Sequence, residues 1–292
     1  MRWEGGRRGG NIEDRRGMGA AGVGGIGVGG VILAAIGYFV FGIDPSTTLN
    51  VVNGAGGGQV QQQEGARGTP ADEAAQFVDV IEQSTADVWT QVFQQAGQTY
   101  RRPASVVVYD RATGTGCGMG QSAMGPFYCP ADQKVYLDLS FWQELETKFG
   151  AQGEAARAYV IAHEVGHHVQ NLTGDSRRVE RGSRGAESAA VRLELQADCY
   201  AGMWAHHATE PGGAVQLEPI TRMQLADAIE AAGAIGDDRI QETTQGRANP
   251  ESFTHGTSAQ RQAWFLTGYQ TGDIRACNTF TASDLNRPAA LT

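Results

Sequence analysis

The 292-residue chain is short of positive charge. It carries 23 Lys+Arg against 32 Asp+Glu, a formal net charge of -9. A nucleic-acid surface needs a basic footprint, so this balance argues against that class of partner. Cysteine is also scarce: Cys117, Cys129, Cys199 and Cys277 are the only four, and no two form a C-x-x-C pair. That speaks against an all-cysteine zinc site. Four cysteines allow three pairings. If the domain faces an oxidising compartment, Cys117–Cys129 closes a glycine-rich loop and Cys199–Cys277 ties the C-terminal tail to a helix. In a reduced protein the four would be small buried hydrophobes. No internal repeat is visible, and from Ala20 to Ile43 there is no charged residue.

What is abundant is glycine, and it is unevenly placed. Of 41 glycines, 20 fall in residues 1–70 and 21 in residues 71–292, so the front end differs in kind from the rest. The uncharged run includes Val23, Ile26, Val28, Val31, Ile32, Leu33, Ile36, Phe39, Val40 and Phe41. At about 20 residues per crossing it is long enough to span a bilayer as one helix. It is longer than a signal-peptide core, and Gly42-Ile43-Asp44-Pro45 offers no small-x-small cleavage site. The run 20–43 therefore reads as a retained transmembrane helix. Arg2, Arg7, Arg8, Arg15 and Arg16 precede it, whereas Arg67 is the only basic residue for some distance after it. The positive-inside rule then makes residues 1–19 a basic cytoplasmic tail and puts everything after the run outside. The Gly/Gln-rich residues 44–69 read as a flexible linker, leaving residues 70–292 as the folded domain.

That domain opens with a helix-start signal, Thr69-Pro70-Ala71-Asp72-Glu73, with threonine as cap and proline at the first helical position. Phe77, Ile81, Val88 and Val92 follow at helical spacing. Ser105–Tyr109 and Lys134–Leu139 are strand-like, separated by a turn-prone stretch from Thr113 to Pro130. Further helices are expected around 140–149, 154–172, 186–208, 219–236 and 258–271. The class is α+β, mainly helical with a small sheet.

The chemistry centres on Tyr159-Val160-Ile161-Ala162-His163-Glu164-Val165-Gly166-His167-His168. Residues four apart on a helix share a face, so His163 and His167 can point at one ion. Glu164 lies about 100° round the helix, within reach of a water on that ion. Zinc suits the arrangement, because imidazole is a good ligand and a three-ligand site leaves a corner for water. The extended H-E-x-x-H-x-x-G-x-x-H pattern fails, with Gln170 and Thr173 where glycine and histidine would stand. The third ligand is read instead from Leu193-Glu194-Leu195-Gln196-Ala197-Asp198: Glu194 to the zinc, Asp198 orienting a ligand histidine, and Glu187 as the alternative to Glu194. His168 is read as facing elsewhere. His255 precedes a capping box, Thr257-Ser258-Ala259-Gln260, where it can reach into a cleft and donate to a developing oxyanion.

These segments, with Gly125-Pro126-Phe127-Tyr128-Cys129-Pro130-Ala131-Asp132 and Ser252-Phe253-Thr254-His255-Gly256-Thr257-Ser258-Ala259-Gln260-Arg261, resemble the bacterial neutral zinc metallopeptidases over most of the chain. The resemblance implies a zincin-like domain, membrane association and peptidase activity. Glu194 is similar to the third-ligand glutamate of the CAAX-type membrane zinc proteases. His255 and Arg261 echo their downstream histidine–arginine element, although Gly256 stands where those enzymes usually have proline. Zincins lay substrate along an edge strand, and Lys134–Leu139 is the candidate here. The expected function is a membrane-anchored peptidase with one zinc ion and Glu164 as general base, acting on a peptide or protein. The alternatives are a catalytically silent zinc scaffold and a zinc amidase acting on non-peptide amides.

Overall fold

The structure is a computed structural model that describes residues 3–18, 64–147, 150–209 and 221–291. The expected membrane run 20–43, and the linker as far as residue 63, lie outside the described residues. Among those described, no helix is long and apolar enough to cross a membrane.

The sheet has five strands in the order β2-β1-β3-β7-β6: β2 (Ala66–Arg67), β1 (Ile12–Asp14), β3 (Ser105–Tyr109), β7 (Lys134–Asp138) and β6 (Phe127–Cys129). β1 runs parallel to β3, with Ile12 opposite Val106, and β3 runs parallel to β7. β3 and β7 are buried along their whole length. Flanked on both sides, they show the continuous β-branched and aromatic character of interior strands. A separate hairpin, β4 (Ala112–Thr115) and β5 (Gly118–Gln121), fills the turn-prone stretch. The disulfide Cys117–Cys129 joins the hairpin turn to β6, and Cys199–Cys277 ties the C-terminal segment to a helix. Both expected pairings are therefore formed.

Three expectations need correction. Residues 3–18 are not a separate tail, because β1 is an inner strand of the domain's sheet, and Trp3, Ile12, Glu13 and Arg15 are buried. The linker ends sooner than residue 69, since Ala66 and Arg67 pair with Asp14 and Glu13. β7 cannot be an edge strand for substrate, because β3 and β6 occupy both its sides. β6 is the edge on that side. The alternation that marks a strand says nothing about how many neighbours it acquires.

Seven α-helices complete the described fold: α1 (Glu73–Gln95), α2 (Phe141–Thr147), α3 (Gly153–Thr173), α4 (Ala189–Ala208), α5 (Arg222–Ala234), α6 (Asp237–Gln245) and α7 (Ser258–Thr271). α1 begins later than Thr69-Pro70 suggests: Asp72 is the cap, and its carboxylate accepts from Ala75 N. Asp72 outcompetes Thr69 because an aspartate at that place caps the helix and also suits its dipole. α6 is absent from the sequence reading, being polar nearly all round, with little apolar stripe to mark it. The most extensive helix pairing is α4 with α7, and α3 packs against α1, α4 and α5. α3 thus sits at the centre of the helical layer, with Tyr159, Ile161, Val165 and Val169 buried.

Candidate metal centre

α3 carries His163 and His167 on one face, with ring centroids 4.7 Å apart. α4 crosses that face close by. The crossing is tight because residue 166 is glycine: a Cβ there would come within 3.2 Å of the Ala197 backbone. Glu194, one turn earlier on α4, consequently meets both histidines. Its Oε2 lies 3.3 Å from His163 Nε2 and its Oε1 3.5 Å from His167 Nε2. One ligand atom from each of the three lies within 4.8 Å of the others. Two ligands bound tetrahedrally at zinc distances stand roughly 3.3–3.5 Å apart, so the nitrogen–oxygen spacings fit a zinc-sized ion. Two imidazoles and a carboxylate are also a donor set that zinc accepts.

The electrostatics agree. Burial opposes a charge on His163, but Asp198 and Glu194 reverse this and push its pKa up to about 10. Burial would raise Glu194, yet His167, His255 and His163 hold it well below the usual carboxylate range. The pocket therefore favours net positive charge at the point where the three side chains converge. Glu164, next along the helix, differs from its neighbours. It is buried, burial raises its pKa, and among the described residues nothing hydrogen-bonds to its carboxylate.

Behind the three candidate ligands lies a fully buried support. Asp198 Oδ1 accepts from His163 Nδ1 at 2.8 Å and from the Tyr159 hydroxyl at 2.5 Å. Arg261 on α7 forks onto the same carboxylate, Nε to Oδ2 at 2.8 Å and Nη2 to Oδ1 at 2.9 Å. Burial would raise Asp198, but Arg261 and His163 hold it ionised. His163 thus keeps its proton on Nδ1 and presents Nε2 to the centre. His167 has its own partner: Nδ1 donates to Gln170 Oε1 at 2.8 Å, and Gln170 Nε2 donates to Leu193 O and Gln196 Oε1.

His255 lies on the loop before α7, half-exposed and within the electrostatic reach of Glu194. The loop is organised by Asp237, the first residue of α6. Asp237 Oδ2 accepts from the backbone N–H groups of Thr254, His255 and Gly256 at 2.6–3.0 Å, and Oδ1 lies 3.4 Å from His255 Nδ1. Burial depresses the basicity of His255, but Glu194 and Asp237 together raise it. Gly256 has φ +88°, a value proline cannot adopt, and its N–H is one of the three that Asp237 binds. The departure from proline at this position therefore follows from the loop's geometry.

The other sequence candidates lie apart. Glu187 is exposed on the turn before α4. His168 is fully buried on the opposite face of α3, where Nε2 donates to Arg101 O and Nδ1 accepts from Tyr128. Cys199 is in a disulfide. Gln170 and Asp237 escaped the sequence reading. Gln170 was legible as the residue three places after His167, on its face of the helix. Asp237 carried no signal, because its role depends on a contact between α6 and a loop 17 residues away.

A helix-borne histidine pair with a glutamate beside the first, joined by a glutamate from the next helix, is a set that could hold one metal ion. The profile of the family described as "Putative neutral zinc metallopeptidase" matches residues 1–280, and the chain belongs to that family. It is 46% identical over 301 aligned positions to "Uncharacterized protein YpfJ" of Escherichia coli strain K12, covering 97% of this chain and 100% of the relative. It is 48% identical over 218 positions to "Uncharacterized protein Rv2575" of Mycobacterium tuberculosis strain H37Rv, covering 73% and 74% respectively. No solved structure matches the chain significantly.

Proposed function

We propose that the protein is a zinc peptidase that hydrolyses peptide bonds with an activated water, on the oxidising side of a membrane. The observation that carries the reading is the convergence of His163, His167 and Glu194 beside a buried Glu164 whose carboxylate has no hydrogen bond among the described residues. These three side chains would hold a single zinc ion, which when bound lowers the pKa of water and polarises a carbonyl. Every other step belongs to the chain. Asp198 and Gln170 fix the two imidazoles. Glu164 takes a proton from the attacking water and returns it to the leaving amine, and burial, which raises its pKa, favours the first of these transfers. His255, whose basicity Glu194 and Asp237 raise, donates to the carbonyl oxygen as negative charge develops there.

A purely structural ion would be better served by a closed set of four protein ligands. Among the described residues no fourth joins, since His168 faces away and Cys199 is bonded to Cys277. A structural ion also has no use for an unbonded carboxylate at its side. The two disulfides support an oxidising compartment, and the uncharged run 20–43 supplies the membrane contact.

The test is cleavage of a mixed peptide library by the purified full chain, with and without chelator, alongside Glu164→Gln. Chelator-sensitive cleavage that vanishes in Glu164→Gln is the expected result. A Glu164→Gln chain that still cleaves removes the mechanism. Turnover of non-peptide amides alone would point to an amidase.

A further inference from the structure

The segment before the uncharged run and the segment after it are strands of one sheet. Asp14 and Ala66 are register partners in the antiparallel pair β1–β2, and Glu13 is opposite Arg67. Paired residues in such a ladder stand only about 5 Å apart. The hydrocarbon core of a bilayer is about 30 Å thick. A single crossing between residues 18 and 64 would place these partners on opposite faces, which the pairing forbids.

The N-terminal segment is too deeply built into the domain to be an incidental contact. Glu13 is completely buried and accepts from Lys134 Nζ at 2.8 Å and Arg15 Nε at 2.8 Å. Arg15 Nη1 reaches Thr113 Oγ1 and Gly114 O. The Trp3 ring packs edge-on against Phe77, and its Nε1 donates to Glu154 in the first turn of α3, the helix that carries the histidines. Gly9 and Gly10 both donate to Asp79 on α1.

The arginines before the run have the same explanation. Arg16 pairs with Asp14 and Asp72, Arg7 with Asp87, and Arg8 donates to Gln76. With Arg15, four of the five are answered by acceptors in the fold, so their number before the run measures the needs of the sheet and not the sidedness of the membrane.

We propose that residues 3–18 and the metal-bearing domain lie on the same side of the membrane. The expected arrangement, with a cytoplasmic N-terminus and the domain on the other face, gives way. This inference stands on the strand pairing and is independent of the peptidase reading.

Two measurements on the full-length protein in bacterial membranes test it. In the first, Asp14→Cys and Ala66→Cys are introduced together, and the membranes are oxidised and analysed by peptide mass spectrometry. A 14–66 disulfide is expected in most of the chains. Both cysteines free and open to thiol reagents, with no cross-link, would overturn the proposal. In the second, epitope tags at both termini are exposed to protease in spheroplasts and in inverted vesicles. Loss of both tags from the outer face only is expected. Loss of one tag from each face overturns the shared side. Loss of both from the cytoplasmic face alone upholds the shared side and overturns the oxidising compartment.

Discussion

Glu13 and Glu164 are both buried glutamates, with 0% and 7% of their surface exposed, and their surroundings are opposites. Glu13 accepts from Lys134, Arg15, Ser105 and the Gly65 N–H. Burial pushes its pKa up, but the Lys134, Gly65 and Arg15 hydrogen bonds more than reverse this and bring it down to about 2. Glu164 has no such bonds among the described residues, and burial raises its pKa. A buried carboxylate whose acceptors are all used is fixed in one protonation state and serves the fold. One left without donors can take and release a proton, at a cost in stability that only a function explains. The same contrast runs through the neighbouring groups. Arg15 and Lys134 neutralise Glu13, whereas the imidazoles around Glu194 meet it at spacings suited to an ion between them.

The sharpest way to break this comparison is to remove the charge from each glutamate in turn. Glu164→Gln should lower the rate of peptide hydrolysis by roughly 10²–10⁴-fold, with zinc content by metal analysis and melting temperature near those of the parent chain. A loss of zinc would mean that Glu164 serves the site's structure. Glu13→Gln should do the reverse, costing about 3 kcal/mol of stability by denaturant titration, because Arg15 and Lys134 are left buried without their anion. The pH dependence carries the sign. The folded-state pKa of Glu13 is lowered, so its contribution is complete above about pH 4.5 and is lost as pH falls through about 2. The parent chain should lose this increment on acidification, and Glu13→Gln should lack that part of the slope.

Asp198→Asn tests the support behind His163. The variant keeps the volume, but the new side-chain amide can present a donor to Nδ1 and no longer balances Arg261. Zinc affinity measured by competition with a chelator should fall about 10–100-fold. Unchanged affinity would reduce Asp198 to a fold residue of the Glu13 kind.

Much of the site was legible because its parts lie at short, regular separations. His163, Glu164 and His167 occupy one turn of a helix that is itself marked by apolar periodicity, and Glu194 and Asp198 repeat the four-residue spacing on the next. The capping box at Thr257 and Gln260 is formed as the residue types require. What was missed depends on contacts between distant segments. β7 reads as a strand in isolation, but whether it is an edge or an interior strand is decided by β6 and β3. The N-terminal arginines invite a topological reading until Glu13, Asp14, Asp72 and Asp87 are seen to receive them. Asp237 sits on a helix without an apolar stripe and acts on a loop that follows it at a distance.

Asp237 therefore gives the mildest and most discriminating prediction. Its carboxylate holds three successive N–H groups of the His255 loop and, together with Glu194, raises the basicity of His255. If His255 donates to the developing oxyanion, activity should decline as pH rises through the elevated pKa of His255. Asp237→Asn should move that alkaline limb to lower pH, because one of the two negative charges favouring the imidazolium is gone. The expected effect on kcat at neutral pH is about tenfold, less than the roughly 10²–10³-fold that outright loss of an oxyanion donor costs, since the imidazole is retained. KM and zinc content should hardly change. His255→Ala should abolish the limb altogether while keeping zinc. Were Asp237 merely structural, like Glu13, Asp237→Asn would lower the melting temperature and leave the pH–rate profile where it was.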